Sequence, residues 1–271
     1  VYCNNADIDM LKLTNVDVPG YDNVGALSGY VGVSASINAC MAEGSVLGTH
    51  YFIGGLTGYN SGATISNCYS DGSVESLARR YVGGLSGVND NSTITNSYSM
   101  SDVLSGSVTI GGLVGDNTNG STVTLSFSSG LVEGSHTTIG GLIGDNDATV
   151  TNSYWDTETS GQSSSDGGTG KTTAQMKMQT TFSGWDFTPL TGDWFIDEGV
   201  SYPLLQWDVP QSAGAPIVTT LGSDSLTYNS AVVSALINGN LSATTYYFEY
   251  GTVSGLYTQS VSYTHLTLPT I

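Results

Sequence analysis

Apolar residues recur along this chain with a period close to 29, far too long for a helix or a single strand. The clearest marker is a Gly-Gly-Leu-x-Gly pattern centred on Leu27, Leu56, Leu85, Leu113 and Leu142, with Ala26 replacing the second glycine in the first copy. A second apolar position follows each leucine, at Ile37, Ile65, Ile94, Val123 and Val150. Four residues on comes Met41, Tyr69, Tyr98, Phe127 or Tyr154. The first four Ile/Val positions are each followed, at a constant offset, by Val46, Val74, Val103 or Val132. Self-similarity at such a period marks a repeat architecture in which each unit buries its apolar face only against its neighbours.

Side chains alternate along a strand, so Ile65 and Tyr69 should share a face with Asn67 between them. The equivalents of Asn67 are Ala39, Asn96, Leu125 and Asn152. Leu125 argues that the position points inward, where stacked asparagines would bond amide to amide along a ladder. The alternative is that Asn marks a turn. Val82 and Leu85 are three apart, and a bend at Gly83-Gly84 would bring both to the core. Each coil should supply about three short strands, stacked about 4.8 Å from the next.

These five in-phase copies resemble the GLUG repeat, named for its Gly-Leu-x-Gly core. The resemblance covers residues 8 to 155, and Leu11 to Val18 read as the tail of an earlier coil. It implies a right-handed parallel β-solenoid, so the fold class expected is all-β. Proteins with this repeat include bacterial adhesins of the filamentous-haemagglutinin type, and the repeat also occurs beside immunoglobulin-A-cleaving metallopeptidases.

The period stops at Trp155. A solenoid end exposes strand edges that must be covered. The segment 156–208 carries three of the four tryptophans, at 185, 194 and 207, and reads as a C-terminal cap. Packing there is the role expected of the tryptophans, rather than stacking on sugar rings. Thr172 to Gln175 fits a capping box, predicting a short helix through about Gln179. Residues 209–216 read as a linker, with Pro210 and Pro216 near its ends. Strands are predicted at Ile217 to Thr219, Ala231 to Ile237 and Tyr246 to Tyr250. Thr245 to Gly251 resembles the middle strand of a fibronectin type III-like domain, so 217–260 reads as a truncated module of that kind, a partial β-sandwich. Residues 261–271 resemble a translated sequencing-library adapter and are set aside from fold reasoning. His265 then carries no chemistry, leaving His50 and His136.

Charge narrows the partners. There are 23 acidic residues against 5 basic ones, a net charge of −18. Such a surface repels phosphate backbones and anionic lipid, excluding nucleic acid, and its simplest role is to keep the coils soluble. No run of about 18 apolar residues is present, so no membrane insertion is expected in this segment. Cys40 and Cys68 occupy equivalent repeat positions, either as stacked neighbours or as two small buried thiols, and no Cys/His spacing suggests zinc.

Candidate chemistry is sparse. Gly167 to Thr172 suggests a phosphate loop, but the position that must be glycine is Ser165 and no hydrophobic strand precedes it; a flexible loop before a helix is the reading kept. Asp156 and Glu158 would share a face if extended, and paired carboxylates serve glycoside hydrolysis. A polysaccharide lyase would also want a basic group nearby. Beyond Lys12, the solenoid has only Arg79 and Arg80. Acidic turns at Val88 to Asn91 and Gly144 to Asp147 leave Ca²⁺ as the one cofactor to consider, but they lack the nine-residue aspartate period of calcium-binding rolls, so turn chemistry is favoured. No catalytic, cofactor-binding or metal residues are therefore assigned, and the chain is not expected to be an enzyme.

The functional expectation, by family analogy, is a secreted or cell-surface bacterial adhesin or stalk, monomeric and non-catalytic. An extracellular polysaccharide or a host or cell-surface protein would be its partner. The alternatives are a non-catalytic arm of a large exported peptidase or glycoside hydrolase, and a polysaccharide-active β-helix enzyme.

Overall fold

A computed structural model describes residues 2–77, 80–106, 109–135 and 138–209, and beyond them the strands Ile217–Asp224, Val232–Asn238, Tyr246–Tyr250 and Gln259–Tyr263. Arg79, His136 and the linker beyond Val209 lie outside the described residues. The chain forms two compact units, Val1–Asp208 and Val209–Ile271.

The first unit is a parallel β-solenoid. One coil, starting after Leu56, runs through strands Thr57–Ser61, Thr64–Ser66, Tyr69–Ser76 and Arg80–Gly83. Each pairs in parallel with its counterparts in neighbouring coils, for example Ile65 with Ile37 and Ile94. A coil thus has four strands where the sequence suggested three. The additional one is the short segment ending in Ile-Gly or Val-Gly before each Gly-Leu, as at Ile53-Gly54 and Val82-Gly83.

The apolar columns sort into three clusters. The Leu column and the Ile/Val column share one interior compartment, with Leu56, Ile65, Leu85 and Ile94 fully buried. Val46, Val74, Val103 and Val132 fill a second compartment against Ile53, Val82 and Ile110. The bend expected at Gly83-Gly84 is present, and it sends Val82 into one compartment and Leu85 into the other. A Cβ on Gly84 would collide with Ser99 Oγ and the Gly112 carbonyl of the next coil, which is why glycine is needed there.

The third column behaves differently from the sequence expectation. Ile65 and Tyr69 do not share a strand face, because the chain turns a corner between them. Asn67 sits at φ 52°, and Ala39, Asn96, Leu125 and Asn152 take the same left-handed conformation. The turn reading therefore holds at this position and the inward ladder does not. Asn tolerates this conformation because its short polar side chain bonds locally, whereas leucine and alanine accept the strain. Past the corner, Cys68 points into the solenoid with Ile65, and its neighbour Tyr69 points out. Met41, Tyr69, Tyr98, Phe127 and Tyr154 form an outward column, with Tyr69–Tyr98 and Tyr98–Phe127 ring centroids 4.7 and 4.9 Å apart.

An asparagine ladder does exist, one strand earlier. Asn60 Nδ2 donates to Asn89 Oδ1 at 2.9 Å, Asn89 to Asn117 at 2.8 Å, and Asn117 to Asn146 at 2.7 Å. The first three are completely buried. Beside it run two hydroxyl columns. The backbone N–H groups of Cys68, Ser97 and Ser126 donate to Ser97, Ser126 and Ser153 Oγ in the following coil, at 3.1 to 3.2 Å. Ala63 and Ser92 N–H likewise reach Ser92 and Ser121. Apart from the Oδ1 atoms of Asn60 and Asn67, these buried polar groups are paired from coil to coil.

Residues 155–208 divide into two parts. Trp155 and the stretch to Lys171 close the end: Gly168 abuts Leu142, and Thr169–Lys171 adds a parallel strand to Tyr154–Asp156. The Gly167 to Thr172 segment is therefore partly strand rather than a flexible loop. Thr172 caps the helix Thr173–Met176 with a complete capping box, and a separate 3₁₀ turn, Gln179–Thr181, follows. The helix is shorter than expected, ending before Gln179.

The remainder is a strap that runs back along the side of the solenoid over the outward aromatic column. Three indoles peg it to the left-handed corners in reverse order. Trp185 Nε1 donates to Asn152 O at 2.9 Å, Trp194 Nε1 to Asn96 Oδ1 at 3.4 Å, and Trp207 Nε1 to Asn67 O at 2.9 Å. Asp208 pairs with Lys12 and accepts from the Tyr69 hydroxyl. Phe127 is completely buried beneath it. The tryptophans therefore pack as expected, along the flank as well as at the end.

The second unit contains two antiparallel pairs, Ile217–Asp224 with Val232–Asn238 and Tyr246–Tyr250 with Gln259–Tyr263. The three strands predicted there are present. The fourth includes Val261 to Tyr263, part of the segment set aside as adapter-like.

Candidate functional site

The carboxylate pair singled out in the sequence is used for folding. Asp156 ends its strand fully buried; its Oδ1 accepts from the Glu158 and Thr159 N–H groups at 2.8 and 3.2 Å. Its Oδ2 accepts from the Tyr202 hydroxyl at 2.7 Å. Burial, then this bond, pushes the Tyr202 phenol up to about 12. Glu158 accepts from the Thr173 N–H at 2.8 Å, fastening the start of the helix. Both groups hold the closure of the solenoid to the strap.

The two acidic segments lie on the sheet built by Thr57–Ser61 and its counterparts, Ser86–Asp90 and Ile143–Asn146 among them. Asn89 and Asn146 are members of the buried ladder, so their amides face their own kind. Asp90 accepts from Tyr59 Oη at 2.6 Å and from Asn119 Nδ2 at 2.7 Å. Asp116 sits above Val88 and below Asp145 in one outward column. Burial, then Asp145, Asp147 and Asp90, raises its carboxyl to about 6. Among the described residues no three His, Cys, Asp or Glu side chains are grouped to hold a metal ion.

Cys40 and Cys68 are both stacked and buried: the Cys40 N–H donates to Cys68 Sγ at 3.4 Å. They occupy the positions that serine takes in later coils. A side-chain interaction with the Cys68 thiol lowers the Cys40 thiol to about 7, and burial pushes Cys68 up.

One feature was not anticipated from the sequence. The first three coils, ending at Leu27, Leu56 and Leu85, carry a surface of aromatic rings where the chain before each Gly-Leu turns into the strand that follows the leucine. Tyr2, Tyr30 and Tyr59 align in register, with centroids 5.3 and 5.6 Å apart. Beside them, Phe52 and Tyr81 lie nearly parallel at 5.9 Å, and Phe52 meets Tyr59 edge-on at 4.9 Å. Tyr21 stacks on His50 at 4.7 Å, and His50 Nδ1 lies 2.7 Å from Asp22 Oδ1. Tyr21 and Tyr2 are 64% and 72% exposed, so two rings present open faces. Phe52 and Tyr81 adopt φ of 60° and 49°. A bulky ring in this region is an outlier costing about 1–3 kcal/mol. The sequence signal was an aromatic, Phe52 or Tyr81, immediately before Ile53-Gly-Gly and Val82-Gly-Gly, and a tyrosine three residues after Leu27 and Leu56.

The GLUG motif family matches residues 51–75, which include the end of one coil and most of the next. A search of the curated proteins returns no match. Among solved structures, the chain is similar to a protein from Bacteroides ovatus described as a candidate immunoglobulin A1 protease. The similarity has 18% identity and a TM-score of 0.48, and covers 75% of this chain and 76% of that one. The chain therefore carries a GLUG motif on a parallel β-solenoid.

Proposed function

We propose that this chain is a segment of an exported bacterial surface protein, a non-catalytic rod of the adhesin or stalk type. The observation that carries the reading is the use of its polar side chains. The buried asparagines and serines bond from coil to coil, and Asp156 and Glu158 fasten the closure. These groups build a rigid surface rather than converge on a reacting atom. The matched GLUG motif supports an extracellular repeat module. The acidic surface suits solubility outside the cell and disfavours polyanionic partners. On this reading the antiparallel strands beyond residue 217 belong to a fibronectin-like module.

Two experiments test it. Antibodies raised against the purified chain should label intact cells of the source bacterium; signal only after permeabilisation would refute export. The purified chain should release no new reducing ends from polysaccharides. Release that disappears in Asp156→Asn would instead establish a polysaccharide-active enzyme. Sequencing the intact locus with long reads would separate a stalk from the arm of a larger hydrolase, through the domains found beside these coils.

A further inference from the structure

The aromatic surface on coils one to three is not a by-product of the solenoid. Coils four and five build the same corner without it: Val82 pairs with Ile110 and Ile110 with Ile139, so Tyr81 corresponds to Thr109 and Thr138, which are ordinary strand residues. Coil one uses Asn23, at φ 51°, where coil two has Phe52. The fold accepts asparagine in a conformation suited to it, yet two successive coils hold bulky rings there under strain. Leu125 and Ala39 accept similar strain at another corner, but here the strained residues are rings that join one aromatic surface.

The rings are also fixed in place. Asp22 holds His50 and accepts from the Tyr51 N–H, and Asp90 anchors the Tyr59 hydroxyl. Preorganised aromatic faces lose little conformational freedom on binding. Carboxylates keep acceptor capacity beyond these bonds, and the exposed Arg80, paired in register with Tyr51, adds donors. The ligand that fits has flat apolar faces, many hydroxyl groups and no negative charge, since the chain carries −18. Its repeat should suit rings spaced one coil apart along the solenoid.

The geometry points to a binding site for a neutral glycan chain on the shelf formed by Tyr21, His50, Phe52, Tyr81, Tyr30 and Tyr59. It rests on the surface-rod reading and supplies the ligand class for it. The test is affinity electrophoresis of the full chain through gels holding hydroxyethylcellulose, mixed-linkage β-glucan, galactomannan, soluble starch or dextran. At least one gel should retard the protein. Phe52→Asn with Tyr81→Asn installs the residue coil one already uses; retardation should weaken at least tenfold while Tm stays unchanged or rises. Should this double variant melt early, Tyr21→Ser decides, because that ring is exposed and its loss cannot unfold the coil. Unchanged mobility in all five gels overturns the proposal, as does retardation that Tyr21→Ser leaves intact. Binding to poly-L-lysine with no retardation by any glycan also overturns it, and assigns the shelf to a basic partner. These outcomes are independent of cell-surface labelling, so the site and the surface-rod reading fail separately.

Discussion

Asn89 is the most informative residue to remove. It is completely buried, accepts from Asn60 Nδ2 at 2.9 Å and donates to Asn117 Oδ1 at 2.8 Å. Asn89→Ala therefore strands one donor and one acceptor in the interior, in addition to leaving a small void. Each unsatisfied buried group costs about 1–3 kcal/mol, so the total should be about 3–5 kcal/mol. Asn60→Ala provides the internal control. Asn60 begins the ladder, since its counterpart in the preceding coil is Val31, and its own Oδ1 has no partner. Removing it strands nothing on that side and leaves Asn89 Oδ1 without one donor, at about 1–2 kcal/mol. Urea unfolding followed by tryptophan fluorescence measures both, because all four tryptophans lie between Trp155 and Trp207, within the first unit. If Asn89→Ala loses less than about 1 kcal/mol, or no more than Asn60→Ala, the ladder is not a cooperative element and the reasoning fails.

Three further changes probe the coil geometry. Gly84→Ala should cost about 2–3 kcal/mol, because its Cβ meets Ser99 Oγ and the Gly112 carbonyl; an unchanged Tm would show that the coils can separate to admit it. Ala39→Gly should stabilise by about 0.5–1 kcal/mol, since Ala39 holds φ 50°; a drop in Tm would mean the left-handed corner is not strained. Asp116 titrates at about 6 in the fold, above its ordinary 3.8, so the fold binds its proton more tightly than the unfolded chain does. Stability should then fall as pH rises from about 4 to about 6, by about 1 kcal/mol after allowance for solvent screening, and Asp116→Asn should flatten that slope in urea titrations.

The coil period, the identity of the three apolar columns and the all-β class were legible in the chain, because each repeat places the same residue type at the same offset and stacked coils bury only what is repeated. The bend at Gly83-Gly84 and the capping box at Thr172 were legible too, as local backbone chemistry written in adjacent residues. The face of each column was not. Strand periodicity assigned Ile65 and Tyr69 to one side, but a left-handed residue at Asn67 ends one strand and begins another, and no period-two rule survives a corner. The same corner moved the asparagine ladder from Asn67 to Asn60, a position whose burial depends on the coil closing above and below it. Even further from reach was the strap. Trp207 and Asn67 are 140 residues apart, and nothing local to either announces that an indole will donate to that carbonyl. The aromatic shelf belongs with it, since its rings come from different coils and meet only when the solenoid stacks them. Repetition along the chain determined the rod; contacts between coils, and the return of the strap along their flank, decided which side chains are buried and which surface is left to bind.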